Sequence, residues 1–277
     1  MKNLALIVAL AGLLTACSGS DPGSSSSSSS STGTSGTDVS SASSSTGTSG
    51  SGSSAGSSGS SGSAGGGCTA ARAQLLGSVD AVSSGAVTAL GDTSGVTTLY
   101  VDASAGGISG TGNNPWTFID LGAGAKAQVT DVTSITSTAW DLALKRAVLY
   151  TNGGSGGPGQ GGAALIAKDF DAVTAADATG VTFGTERFFD DQCNPRTDAT
   201  GSVATTFSVP TDEAQYVYGW YTYDLSTNGL APTPGTWLVR GAAGALYKLA
   251  IQTYYAEPDG SVGTGDGGTY AIKVKAL

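Results

Sequence analysis

The run Thr97-Thr98-Leu99-Tyr100-Val101, followed by Trp116-Thr117-Phe118-Ile119-Asp120-Leu121 and Ala127-Gln128-Val129-Thr130, sets the reading of the chain. Each piece is short, rich in β-branched or aromatic residues, and bounded by Gly, Asn, Asp or Pro, as strands ended by turns are. The series continues through residues 139–150, 162–167, 204–209, 216–223, 236–240, 247–255 and 268–275. No long amphipathic helix interrupts it. Repeated short strands with glycine-rich turns predict a single antiparallel all-β domain. Just upstream, residues 69–90 carry Leu75, Leu76, Val79 and Val82 at rough helical spacing, weakened by Gly77, Ser83, Ser84 and Gly85. That segment reads either as one short helix or as a loose strand pair.

Two strands have the clearest patterns. In residues 216–223 one face carries Tyr216, Tyr218, Trp220 and Thr222, and the other Val217, Gly219, Tyr221 and Tyr223. Both faces are partly aromatic, which suits core packing first and a pocket lining second, since tyrosine combines an apolar body with a polar tip. In residues 140–145, Trp140, Leu142 and Leu144 alternate with Asp141, Ala143 and Lys145, the pattern of a strand with one buried face. Asp141, beside a tryptophan, is read as a structural hydrogen-bond acceptor.

The region before the β-domain divides in two. Residues 1–16 open with Lys2, run through an apolar stretch too short to span a bilayer, and end in Leu14-Thr15-Ala16 before Cys17. That order is a signal peptide followed by a cysteine whose thiol can be acylated, and the Leu-Thr-Ala-Cys run resembles the bacterial lipobox. The expectation is a lipid anchor on Cys17, with Ser18 implying sorting to the outer membrane, facing either the periplasm or the cell surface. Residues 17–67 are almost wholly Ser, Gly, Thr and Ala. Too little apolar surface is present to offset ordering entropy, so they read as a flexible tether spanning roughly 40 Å, and about 160 Å when stretched. Residues 68–277 form the domain.

Charge and residue usage remove several function classes. The chain has 12 basic and 21 acidic residues, a net charge of −9, and no histidine. No basic footprint exists for nucleic acid. A serine, cysteine or threonine nucleophile lacks its usual histidine base, and zinc sites of the His/Cys type fail for the same reason. No catalytic or metal residue is therefore assigned. Asp190, Asp191 and Asp198, or Asp259 with Asp266, are oxygen donors of the kind calcium takes, but their spacing does not match an EF-hand loop and suits turns better. Of three cysteines, Cys17 is committed to lipid, leaving Cys68 and Cys193 as a pair expected to close in an oxidising compartment. The glycine-rich residues 153–162 lack the lysine and following helix of a phosphate loop; they read as a mobile loop, suited to act as a lid.

Four segments together resemble the HmuY family of haem-binding bacterial lipoproteins: Val101-Asp102-Ala103-Ser104 leading to residues 116–121; Trp140-Asp141-Leu142-Ala143-Leu144-Lys145-Arg146 leading to Tyr150-Thr151-Asn152-Gly153-Gly154; Trp237-Leu238-Val239-Arg240 with residues 247–255; and Gly268-Thr269-Tyr270-Ala271-Ile272-Lys273-Val274. The resemblance implies an all-β, hand-like domain that holds haem between loops and passes it to an outer-membrane receptor. The family grips iron with two histidines, and some relatives with methionines. This chain has no histidine, and its only methionine is Met1. The family's axial ligands therefore have no counterpart here. Tyrosine can ligate haem iron, and Tyr150, Tyr216, Tyr218, Tyr221 and Tyr223 are available, but none matches a family ligand position and no ligand-binding residue is assigned. The leading expectation is binding of haem, a porphyrin or another apolar ligand without catalysis. The alternative is a structural or adhesive surface module that kept the fold without haem.

Overall fold

The structure, a computed structural model, describes residues 68–198, 200–208, 219–224, 226–227 and 229–277. Cys17, the 18–67 tether, Tyr216 and Tyr218 lie outside the described residues. In chain order, helix α1 (Thr69–Leu76) precedes strands β1 (Val87–Thr93), β2 (Val96–Asp102), β3 (Thr117–Asp120) and β4 (Ala125–Lys126). The short helix α2 (Asp131–Ser134) leads to β5 (Leu142–Lys145), β6 (Val148–Thr151), β7 (Gly162–Ile166), β8 (Tyr221–Asp224) and β9 (Gly229–Pro232). Strands β10 (Thr236–Arg240), β11 (Leu246–Thr253) and β12 (Thr269–Ala276) complete the order. Six strands form one sheet, β1-β2-β12-β11-β10-β7; four form a second, β4-β3-β5-β6; β8 and β9 make a hairpin. Every paired strand among the described residues is antiparallel. The predicted all-β class holds, and residues 69–90 resolve into α1 plus the start of β1. Among the described residues no helix is long and apolar enough to cross a membrane.

Period-two alternation explains the larger sheet. Leu99 and Val101 of β2, Val239 of β10, Leu249 and Ile251 of β11 and Ile272 and Val274 of β12 point to one side, where they meet Ile119, Leu142, Leu144 and Leu149 of the smaller sheet. Each such side chain contributes about 1.5–3 kcal/mol of burial. On the outer side, Lys248 of β11 donates to the carbonyls of Phe170 and Val173 at 2.8 Å and holds a single helical turn against the sheet.

The smaller sheet is buried on both faces, which corrects the one-faced reading of residues 140–145. Leu142 and Leu144 face the large sheet. Trp140 lies on the opposite side with Ala143, Phe118 and Tyr150, and Asp141 and Lys145 are buried as well. This second face is an aromatic cluster of edge-on rings: Trp116–Tyr150 at 4.7 Å, Phe118–Trp140 at 4.9 Å and Tyr150–Phe188 at 5.3 Å. Its cover is α1, whose Leu76 packs into the cluster. A disulfide joins Cys68, at the start of α1, to Cys193, with Cα atoms 5.5 Å apart.

Two predicted strands are absent. Residues 127–130 are a loop whose Thr130 caps α2 through a reciprocal box with Thr133, and residues 204–208 are turns. The glycine-rich residues 153–162 are packed rather than free. A Cβ on Gly153 would sit 2.1 Å from the Gly161 carbonyl oxygen, and one on Gly157 would sit 2.1 Å from Asn152 Oδ1. Arg72 of α1 donates to the carbonyls of Ser155 (3.1 Å) and Gly156 (2.7 Å). Glycine here serves close approach of backbone to backbone, and the lid expectation is withdrawn.

Candidate functional site

Asp141 is the structural acceptor its setting suggested. One carboxylate oxygen accepts from the Ala242 amide (2.7 Å) and the other from the Leu121 amide (2.9 Å), tying a turn of the large sheet to the small one. The tyrosines singled out for iron fare differently. Tyr150 is enclosed by Trp116, Trp140 and Phe188, and burial raises its hydroxyl well above the ordinary tyrosine range, so it stays a neutral core phenol. Tyr221 packs against Trp220 at 4.8 Å, while Tyr223, 50% exposed, stands on the β8–β9 hairpin. Three of the five aspartates weighed for calcium cap their own turns. Asp190 accepts from the amides of Gln192 and Asn194, Asp198 from Thr200 and Ser202, and Asp259 from Ser261. Among the described residues no cluster of three potential metal ligands exists.

The structure instead places a cleft of about 620 Å³ between the end of α1, the turn at Ile108 and the tip of the β5–β6 hairpin. That volume is in the range of small-molecule sites, roughly 300–1,000 Å³. Leu75, Trp116, Val148 and Val203 supply apolar walls, and Ile108, 83% exposed, stands at the rim. Lys145 and Arg146 supply the charged groups, with Gln74, Thr111, Ser202 and Tyr254 as neutral polar ones.

The hairpin tip is held from several sides. Arg146 adopts a left-handed φ of 50°, the kind of backbone that two-residue hairpin turns use and that costs a non-glycine residue some strain. Its amide donates to the Ala103 carbonyl (2.7 Å), and its carbonyl accepts from the Tyr270 hydroxyl. The next carbonyl, of Ala147, accepts from Trp220 Nε1 (2.8 Å). The guanidinium donates to the carbonyls of Gly267 (2.6 Å) and Asp266 (2.9 Å) and lies 6.0 Å from the Tyr254 ring centre. Gly268, at φ +88°, admits it: a Cβ there would come within 3.0 Å of Arg146 Nη1.

Lys145 ends β5 with its side chain along the cleft floor, its ammonium 5.8 Å from the Trp116 ring centre. It and Lys248 are equally buried, 6% exposed. Lys248 donates two hydrogen bonds; Lys145 donates none to any described residue. Burial pushes the Lys145 ammonium below the ordinary lysine range, and Asp131 draws it part of the way back. Asp131 is already engaged, accepting from the amides of Trp116 (2.9 Å) and Val79 (3.3 Å).

A second buried charge, Glu186, was not visible in the sequence. It bridges β6 to residues 203–208, accepting from the Thr151 amide (2.8 Å) and hydroxyl (3.0 Å) and from the Thr206 amide (3.0 Å) and hydroxyl (2.6 Å). Burial raises its carboxyl above the usual glutamate range, and these bonds only partly offset that. A carboxyl raised in the folded state binds its proton more tightly there than when unfolded. Its contribution to stability is therefore complete below the ordinary glutamate range and is lost as pH rises through the folded value. Asp131 and Asp141, also raised by burial, act in the same direction. Between about pH 4 and about pH 7 the stability difference of wild type over Glu186→Gln, read from urea midpoints, is expected to shrink. A difference that grows with pH would contradict this.

The model of the family described as HmuY protein matches residues 113–266, more than half of the chain. The chain belongs to the HmuY family. The match includes Trp116, Lys145, Arg146 and Tyr254 of the cleft and stops short of β12. Solved structures similar to this HmuY-family chain include two from Bacteroides species and one from Tannerella forsythia. A Bacteroides fragilis protein described as a lipoprotein is 18% identical, with TM-score 0.39, covering 69% of this chain and 94% of its own. A Bacteroides vulgatus protein described as HmuY-like and haem-binding is 19% identical, with TM-score 0.42, covering 69% and 96%. A Tannerella forsythia protein described as an apo HmuY analog is 13% identical, with TM-score 0.38, covering 65% and 95%. No curated protein matches the chain.

Proposed function

We propose that this HmuY-family chain is a lipid-anchored outer-membrane protein that captures haem, a related porphyrin or another apolar ligand in the cleft under the β5–β6 hairpin, without catalysis. The observation that carries the reading is the pairing of apolar walls with a cationic floor in a space of small-molecule size. Cys17 is the lipid site, residues 1–16 are removed, and residues 17–67 tether the domain of residues 68–277, an arrangement supported by the Leu-Thr-Ala-Cys run and the serine-glycine composition. Delivery to an outer-membrane receptor belongs to the same reading. Where iron is present, Tyr254 is the phenol that borders the cleft, beneath the Arg146 guanidinium; burial raises its hydroxyl above the ordinary tyrosine range, and Arg146 offsets only part of that. The test is a haemin titration of the chain from residue 18 onward. Saturable binding with a shifted Soret band is expected; a spectrum identical to free haemin sinks the reading. That second outcome favours a surface module that kept the fold for another contact, to which the lack of histidine already points.

A further inference from the structure

We infer that the cleft is an acid-binding site, in which the Lys145 ammonium receives a carboxylate of an apolar ligand, so that the acid group rather than a metal governs recognition. This rests on the ligand-binding reading above and names the chemistry of the ligand. Two observations carry it. The residues lining the cleft include Lys145 and Arg146 and no aspartate or glutamate, in a chain whose net charge is −9. Lys145 is only 6% exposed as a residue, its ammonium donates to no described residue and so keeps its contact with the solvent of the cleft, and the carboxylate acting on it, Asp131, is committed to two amides. An ammonium held at the floor with no protein acceptor is free to pair with a ligand, and a ligand carboxylate reaching it would make a charge-assisted bond. The walls of Leu75, Trp116, Val148 and Val203 would hold the apolar body. For a tetrapyrrole, the groups that satisfy both demands are the ring and its propionates.

Iron-free protoporphyrin IX is the probe, followed by fluorescence, with its dimethyl ester and haemin as companions, each titrated into the chain from residue 18 onward. The expected result is that the iron-free acid binds within a few-fold of haemin, while the ester binds about 10- to 100-fold more weakly. Lys145→Met, which keeps side-chain length and removes the charge, is expected to weaken the acid by a similar factor and leave the ester unchanged. The ester comparison uses the unaltered protein and stands even if the variant folds poorly. Haemin binding without binding of the iron-free acid would overturn the inference in favour of metal ligation and leave the function reading intact. Equal binding of acid and ester, or a Lys145→Met variant that binds the acid as wild type does, would overturn it as well. Failure of both haemin and porphyrin to bind would instead remove the function reading, and this inference with it.

Discussion

Replacing Cys68 and Cys193 together by serine is expected to lower the unfolding free energy by about 4 kcal/mol, with a matching drop in the denaturant midpoint. The bond closes a loop of 125 residues, and on the chain-entropy view a loop of that length gives about 4–5 kcal/mol by restricting the unfolded ensemble. The effect should exceed that of ordinary surface changes because the bond also fixes the start of α1, the lid over the aromatic cluster and one wall of the cleft. Guanidinium unfolding with and without reductant measures it. A loss below about 1 kcal/mol would mean that the remaining ties of α1 suffice: Arg72 on the glycine-rich loop, and Trp116 Nε1 on the Leu76 carbonyl at 2.6 Å.

Trp140→Ala is expected to cost about 3–5 kcal/mol. The indole is wholly enclosed, packs edge-on against Phe118 and Tyr150, and donates from Nε1 to the Ser134 carbonyl at 3.1 Å. Removing it leaves a cavity between rings that cannot collapse, because the β5 and β6 backbones on one side and the packed glycine loop on the other fix the walls. Trp140→Phe should recover part of the loss, since it restores ring contacts without the N–H donor. Chemical denaturation of both variants checks the order; an alanine variant as stable as the phenylalanine one would show that the cluster repacks.

Strands whose residues face solvent or a second layer on one side were readable in the sequence. In β2 and β12 the alternation of Leu99 with Thr98, and of Ile272 and Val274 with Lys273 and Lys275, is a local property. The faces of β5 were misassigned because both sides are buried, and alternation carries no information when either neighbour is equally hidden. Strand β1 was blurred by Gly91 at a bulge, where the register with β2 shifts between Ala89 and Gly91. The glycine loop misled for a different reason: composition reports freedom of the unfolded backbone, whereas Gly153 and Gly161 are selected for contact in the folded one. The cleft was hardest to see. Lys145 and Arg146 stood in a quoted motif, but the burial of Lys145 depends on α1 and the 201–203 turn arriving from distant parts of the chain.

The order of the six-stranded sheet bears on how the chain can be made. Strand β12 follows every other strand in sequence yet lies between β2 and β11, with Thr269 opposite Asp102 and Val274 opposite Leu249. A polypeptide emerging amino-terminus first, whether from a ribosome or through a membrane pore, therefore holds a split sheet until its final strand appears, with β2 and β11 each presenting an open hydrogen-bonding edge. Closure waits on a contact between regions far apart in sequence, which places this domain among slow folders. Topology thus ties completion of the large sheet to the arrival of its last strand.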